Sequence, residues 1–516
     1  MTHLCVPITV VDELQAKRDM ALAAERGADL LELRIDQVTD DAVVADLVKA
    51  APRPVIVTCR SAEEGGKAAV SDIQRLGLLT AAADAGASYC DIELASVQAN
   101  NWAGPKQPRD RRAGWIYSSH HFTDRPTHLS QLLVDLAESP CDVAKIAWAA
   151  RTVRDNIEAF ELMLARTKPS MLICMGEAGL LSRVLAKKFG AFATFAALDA
   201  ASGTAPGQVS VADMKHLYRW DAINPRTKVY GVVGRPVGHS MSPAIHNASF
   251  DRIGYDGVYV PLLVEDSYES FKAFMETFVA FEPLHLSGLS ITIPHKGNAL
   301  RYLEEVGASV EPLAERIGAV NTILIRRDDG LKLEGRNTDY AAILDSLTMA
   351  MKISRDDLSG RRIAVIGAGG TGRTAVAALA HYGATVVIYN RTFERATELA
   401  EEFNGRSGKV VAARMEKLCD SCCEVILNTT SIGMSPNRDA SPLDGVNLQL
   451  TPSHVVFDTI YNPMRTKLLQ QAEAAGATII GGVEMFVRQA AAQFEAWTNH
   501  AAPADLMREV VTTRLR

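Results

Sequence analysis

The chain has 516 residues, of which 47% are hydrophobic and 22% charged. That length exceeds what one hydrophobic core organises, so about two to four domains are expected. A net charge of −7 argues against a broad nucleic-acid footprint, and no apolar run reaches the roughly 18 residues a membrane helix needs.

The N-terminus, Met1 to Ile8, runs straight into a strand-like segment without signal or transit character, which makes a cytoplasmic location the expectation. Short apolar runs then recur at residues 4–10, 30–34, 55–59, 88–92, 115–119, 143–147, 171–175 and 193–197. Helix-like stretches lie between them at 13–26, 73–85, 153–166 and 179–189. Strands alternating with helices make parallel βα units, and eight such units in about 220 residues predict a (β/α)8 TIM barrel. Catalytic groups of that fold project from the C-terminal strand ends. Glu32 and Arg34 end the second run, Arg60 follows the third, Asp91 and Glu93 close the fourth, and His120 follows the fifth. Lys145 falls inside the sixth run, among Val143, Ala144, Ile146 and Ala147. Solvated strand ends explain one or two of these charges, but not a lysine inside an apolar strand.

Burial and nearby cations such as Arg60 favour a neutral Lys145 amine that attacks a ketone, and the resulting iminium acidifies the adjacent carbon. His120 then serves as proton shuttle, and Glu64 orients it or balances its charge. Arg34, Arg60 and Arg183 clamp a carboxylate or hydroxyls. The chemistry inferred is imine-mediated elimination or an aldol-type reaction on a hydroxylated keto acid.

Six strings, in order through residues 1–220, resemble the type I 3-dehydroquinate dehydratases. They are Glu32-Leu33-Arg34-Ile35-Asp36, the segment from Thr58 through Arg60 and Glu64 to Gly66, Ser118-Ser119-His120, Lys145-Ile146-Ala147, Met175 through Arg183, and Ala205-Pro206-Gly207-Gln208. The resemblance implies that Lys145 forms a Schiff base with 3-dehydroquinate and that His120 removes the C2 proton and assists the loss of water. It implies that Glu32, Arg34, Arg60, Arg183, Thr204 and Gln208 bind substrate, with Met175 and Phe195 against its ring. His121 stands where relatives carry other residues; His120 is taken as the acting imidazole.

Asn224-Pro225 marks a turn, and residues 221–228 form a short junction, read as a stiff connection. A new strand starts at Val229. Ser240 and Ser242 precede a helix-like run at 243–252, where paired hydroxyls either cap the helix or bind a carboxylate with backbone amides. Residues 290–294 alternate like a strand stopping at Pro294, with Ser290 and Thr292 on one face and Lys296 at a strand-to-helix corner. Asn321 and Asp339 lie at further polar strand ends. A lysine and an aspartate that meet across a cleft form a proton-transfer pair or an ordinary salt bridge.

Residues 362–366 form a buried strand feeding Gly367-Ala368-Gly369-Gly370-Thr371-Gly372, followed by a helix-like run at 374–382 and a second strand at 385–389. In that βαβ setting the glycines permit the turn and the close approach of a pyrophosphate. The second strand ends in Asn390-Arg391-Thr392, without the acid that reads ribose hydroxyls in NAD enzymes. Arg391 can pair with a 2′-phosphate, so NADP(H) is the expected cofactor.

These strings, with Asn428-Thr429-Thr430, Gly433-Met434, Asp458 through Pro463 and Gly482 through Gln489, resemble shikimate dehydrogenase over residues 229–516. The resemblance implies that Ser240, Ser242, Thr292, Asn321, Tyr461 and Gln489 bind the substrate carboxylate and hydroxyls, while Lys296 and Asp339 transfer the proton. Gly367 to Gly372, Asn390, Arg391, Thr392, Thr430, Met434 and Gly482 are implied for the cofactor. Ser290 and Arg488 depart from the residues common in relatives.

The organisation implied is a barrel at 1–220, a linker at 221–228, a substrate-binding domain at 229–338, an NADP-binding Rossmann domain at 339–475 and C-terminal helices at 476–516 that return to the substrate domain. The product of the first activity, 3-dehydroshikimate, is the substrate of the second. A bifunctional dehydratase–dehydrogenase of the shikimate pathway is therefore expected, supplying chorismate and aromatic amino acids. Small-molecule substrates are expected, with no metal, no nucleic acid and no membrane; no feature sets the oligomeric state. An inactive regulatory copy would have lost Lys145, His120, Lys296 or Asp339, and all four are present. A catabolic quinate or shikimate enzyme would favour an acid after residue 389. Cys419, Cys422 and Cys423 form a cluster with no second Cys or His group nearby in sequence, so the eight cysteines are read as thiols.

Overall fold

Eight parallel strands open the chain: β1 (His3–Thr9), β2 (Leu30–Arg34), β3 (Val55–Thr58), β4 (Tyr89–Glu93), β5 (Gly114–His121), β6 (Val143–Ala149), β7 (Ser170–Met175) and β8 (Ala193–Phe195). They are ordered β7-β6-β5-β4-β3-β2-β1-β8, and between the two ends the Phe192 amide donates to the Ser170 carbonyl at 2.9 Å. This is the near-closed barrel that the spacing of apolar runs predicts. The computed structural model describes residues 2–102, 113–199, 207–405, 408–420 and 423–515.

Side chains alternate across a strand, so one parity of each strand enters the lumen. The lumen core is Cys5, Leu30, Ile56, Ile116, Val143, Ala147, Met171, Ile173, Met175, Ala193 and Phe195. Residues two further along the same strands share that face. This parity turns Glu32, Arg34, Thr58, Asp91, Glu93, Ser118, His120 and Lys145 inward, above an apolar floor. The helix expected at 179–189 is shorter, Leu180–Val184. Beyond it the chain unwinds into turns, in which buried Lys188 donates to the Pro225 and Thr227 carbonyls at 2.8 and 2.9 Å. Burial pushes the Lys188 ammonium down to about 8.

Contact clustering separates two compact units. One comprises Met1–Lys228, Asp256–Val264 and Phe274–His285; the other comprises Val229–Tyr255, Glu265–Ala273 and Leu286–Arg516. The strands after the barrel are β9 (Lys228–Gly234), β10 (Gly257–Leu263), β11 (Leu286–Ile291), β12 (Ser309–Val310), β13 (Thr322–Arg326) and β14 (Lys332–Arg336). They form a mixed sheet in the order β10-β9-β11-β13-β14-β12. The expected strand at 290–294 stops at Ile291, because the Thr292 carbonyl accepts from the His295 amide and closes a turn. Thr292 therefore lies one residue past the strand end, its amide still donating to the Val233 carbonyl at 2.9 Å. The Ser290 hydroxyl instead donates to Gln493 at 2.8 Å.

A third sheet contains β15 (Arg362–Ile366), β16 (Thr385–Tyr389), β17 (Lys409–Ala413), β18 (Val425–Asn428), β19 (Val455–Asp458) and β20 (Thr478–Ile480), in the order β17-β16-β15-β18-β19-β20. Ile363, Val365, Val386, Ile388 and Leu427 pack on one face; Ala364, Ile366, Val387, Tyr389 and Ile426 pack on the other. Both faces are buried, as a doubly wound parallel sheet requires. Among the described residues no helix is long and apolar enough to cross a membrane.

Candidate active sites

The barrel mouth holds an open pocket of about 520 Å³ lined by Glu32, Arg34, Arg60, Glu64, His120, Phe122, Lys145, Met175, Arg183, Phe195 and Gln208, among others. Ten expected residues thus converge from separate strands and loops. Thr204 lies outside the described residues. Lys145 is 5% exposed. Its Nζ lies 2.8 Å from Asp91, 3.5 Å from Glu32 and 4.6 Å above the Phe195 ring.

Asp91 is the residue sequence reasoning undervalued, having read it only as a strand end. It bridges Lys145 and Arg60, whose Nη2 lies 2.7 Å from its other oxygen. Burial resists its ionisation, but Arg60, Lys145 and His120 together hold its carboxyl far below the ordinary range. Arg60 also donates to Glu93 at 2.9 Å and to Ser118 at 2.8 Å. Glu93 in turn pairs with Arg75, which reaches it from the helix Asp72–Asp84. Two buried carboxylates, Asp91 and Glu93, thus match the Arg60 charge beside Lys145.

Glu64 Oε2 accepts from the His120 amide and from His120 Nδ1, both at 2.9 Å. Burial, reinforced by Glu93 and opposed by Arg60, pushes the Glu64 carboxyl up to about 7. Burial, with the Arg60 and Lys145 cations, holds the His120 imidazole well below its usual range. A neutral ring that donates Nδ1–H to Glu64 keeps Nε2 free as a base. His121 is not among the residues lining the pocket; its Nε2 lies 3.0 Å from the Ser119 hydroxyl. Arg183 is 2% exposed, its buried Nε has no partner, and burial lowers its guanidinium to about 10. Arg34 forms a two-point contact with Asp36 at 3.2 and 2.7 Å.

In the second unit, Lys296 begins the helix Lys296–Glu305 and Asp339 begins the helix Asp339–Met351. Their side chains meet at 2.5 Å, with 12% and 6% exposure. A cation at a helix N-terminus opposes the dipole, and Asp339 offsets it. The turn before Asp339 is fixed by Asn321, whose Nδ2 donates to Thr338 at 3.0 Å and whose Oδ1 accepts from the Thr338 amide at 2.9 Å. Gln493 was not foreseen. It donates to the Asn321 carbonyl at 3.1 Å and to the Thr322 hydroxyl at 3.0 Å. Its place in an amphipathic helix gave no signal.

Ser240 Oγ accepts from the Ser242 amide at 3.2 Å, ahead of a helix whose N-cap is Met241, and the Ser240 hydroxyl also hydrogen-bonds Tyr461. Tyr461 stacks on Phe486 at 4.4 Å, and Gln489 donates to the Phe486 carbonyl at 3.0 Å. Thr292 packs against Gly234, where a Cβ would lie 2.4 Å from its methyl. Arg488, unexplained by sequence, pairs with Glu484 at 2.8 Å and reaches the Met349 sulfur at 2.9 Å.

The glycine run leaves a backbone cradle of the kind a dinucleotide needs. Gly367 has φ +113°, and a Cβ there would lie 2.6 Å from Thr429 Oγ1. A Cβ on Gly372 would lie 2.2 Å from the Gly367 carbonyl, whereas Gly369 faces open space. The helix Gly370–His381 starts there with its first amides directed outward. Ala368 donates to Asn390 at 3.2 Å, which ties the run to the end of β16. Gly370 sits beside Lys296, whose Cδ lies 3.2 Å from a Cβ placed there. Arg391 and Thr392 are exposed at the same strand end. Thr430 bonds Asn428 at 2.7 Å, Met434 is 43% exposed, and a Cβ on Gly482 would meet the Thr459 carbonyl at 2.4 Å. Cys422 lies outside the described residues, and among those described no group of His, Cys, Asp or Glu is arranged to hold a metal ion.

Fold and sites define a two-centre enzyme: a lysine-based barrel pocket, and a dinucleotide cleft with a second lysine. Four family models match: type I 3-dehydroquinase at residues 4–225, shikimate dehydrogenase substrate binding domain at 232–323, shikimate/quinate 5-dehydrogenase at 348–434, and shikimate 5′-dehydrogenase C-terminal domain at 482–512. The chain is 37% identical to the chloroplastic bifunctional 3-dehydroquinate dehydratase/shikimate dehydrogenase of Arabidopsis thaliana, over 99% of this chain and 84% of that one. It is 37% identical to the NADP(+) shikimate dehydrogenase of Methanosarcina acetivorans, over 56% of this chain and 99% of that one. A solved shikimate dehydrogenase in complex with NADP+ matches with a TM-score of 0.50 and 34% identity, covering 57% of this chain and 98% of that one. The chain belongs to the family of bifunctional 3-dehydroquinate dehydratase/shikimate dehydrogenases.

Proposed function

We propose that the barrel dehydrates 3-dehydroquinate to 3-dehydroshikimate and that the second unit reduces 3-dehydroshikimate to shikimate with NADPH, within the pathway to chorismate and the aromatic amino acids. The observation that carries the first half is Lys145, buried in a polar lumen above Phe195. The ion pair of Lys296 with Asp339, beside the glycine run, carries the second.

In the barrel, Arg183 and Arg34 bind the substrate carboxylate and hydroxyls, with Gln208 and Glu32 completing the ring contacts. Lys145 must lose a proton before it attacks the ketone. Asp91 is too acidic to accept it, and His120, held neutral, is the available base. The amine adds to the carbonyl carbon, and His120 returns its proton to the carbinolamine hydroxyl, which leaves as water and gives the iminium with His120 neutral again. His120 Nε2 then takes the C2 proton and delivers a proton to the departing hydroxyl. Hydrolysis of the imine restores Lys145, so the net change is loss of one water.

In the second unit, Ser240, Ser242, Thr292, Asn321, Tyr461 and Gln489 orient the substrate. The glycine run, Asn390 to Thr392, Thr430, Met434 and Gly482 would hold NADP(H). NADPH, when bound, supplies the hydride for the carbonyl carbon. Lys296 gives a proton to the carbonyl oxygen, and Asp339 holds that side chain in place.

Borohydride added with 3-dehydroquinate is expected to trap a covalent adduct at Lys145, read by peptide mass; an unmodified Lys145 under turnover conditions would refute the imine. The pH profile is a second test. With Glu64 raised to about 7, its carboxylate predominates only above that pH. Dehydratase kcat/KM should therefore fall about tenfold per pH unit below it. Glu64→Gln should remove that acid limb and lower kcat about 10²-fold. A limb unchanged in the variant belongs to another group.

A further inference from the structure

We propose that Arg414 is a second reader of the cofactor's 2′-phosphate, acting beside Arg391; this rests on the NADP(H) reading above. β16 and β17 are parallel, and their last paired residues are Tyr389 and Ala413. One step beyond, Asn390 and Arg414 leave adjacent strands at their C-terminal ends, about 4.8 Å apart. That edge is where a doubly wound sheet binds its ligand.

The Arg414 guanidinium lies 4.7 Å above the ring of Phe393, which opens the helix Phe393–Phe403 directly after Thr392. Stacking leaves the N–H edge of a planar guanidinium free for an anion. Charge pairing points the same way. In this unit Arg355, Arg361, Arg373, Arg488 and Arg508 each pair with a carboxylate. Among the described residues, Arg391 and Arg414 are exposed and form no ion pair, which is also true of Arg395 on the adjoining helix. Two unneutralised arginines at one strand edge, in a chain of net charge −7, form a local positive field suited to a dianion. Arg391 was legible because it stands where an acid would read the ribose. Arg414 lies 23 residues further on, and only the strand register brings it alongside.

The test is calorimetric titration of the full chain with adenosine 2′,5′-bisphosphate and, separately, with 5′-AMP, which lacks the 2′-phosphate. The wild-type chain should prefer the bisphosphate. Arg414→Met keeps an apolar stem on Phe393 and should weaken the bisphosphate about tenfold, with 5′-AMP unchanged within about twofold. Arg414→Lys should lose less, about threefold. An Arg414→Met chain that binds both probes as wild type does overturns the proposal, and so does an equal loss for both probes. A wild-type chain with no preference for the bisphosphate would instead sink the underlying NADP(H) reading.

Discussion

Lys145→Met is expected to lower dehydratase turnover by at least about 10⁴-fold, because no neighbouring group can replace an imine-forming amine. Methionine fills a similar volume, and the carboxylates left behind keep hydrogen-bond partners. Asp91 keeps Arg60 and Ser118 as partners, and Glu32 keeps the Thr58 hydroxyl at 2.8 Å. The variant therefore avoids the orphaned buried carboxylate that makes broken ion pairs so destabilising. It should fold and retain full reduction of 3-dehydroshikimate. Comparable losses in both activities would mean that the two centres are not separate.

The converse experiment has the next largest effect. Lys296→Met is expected to reduce dehydrogenase kcat by about 10²- to 10⁴-fold, the range for a positioned acid or base, and to leave dehydration unchanged. Asp339→Asn should cost a similar factor, since the two side chains share one hydrogen bond of 2.5 Å. If they act as one proton-transfer unit, the double variant should be no worse than the slower single variant. Multiplicative losses would show that each contributes separately. Unchanged affinity for adenosine 2′,5′-bisphosphate in Lys296→Met would confirm that the cofactor cleft is intact.

The barrel was legible because its strands obey a strict parity. Once Val143 and Ala147 are inward, Lys145 must be inward too, and the same rule places Glu32 above Leu30 and His120 above Ile116. The glycine run was legible because two of its positions tolerate no Cβ. What escaped notice was charge bookkeeping across strands. Nothing local marks Asp91 as the bridge between Lys145 and Arg60, or lets Arg75 reach Glu93 from a helix. Nor does anything local tie the Arg60 guanidinium, expected as a substrate clamp, to two carboxylates and a serine. Nothing local pairs Ser290 with Gln493 either, since the two are distant in sequence.

The most direct test supplies the purified full chain with 3-dehydroquinate and NADPH and follows both NADPH oxidation and shikimate. The expected result is shikimate formed with one NADPH consumed per molecule. Lys145→Met should need 3-dehydroshikimate to do the same, and an equimolar mixture of Lys145→Met and Lys296→Met should restore the conversion from 3-dehydroquinate. A wild-type chain that dehydrates the substrate but yields no shikimate with NADPH would contradict the two-centre account.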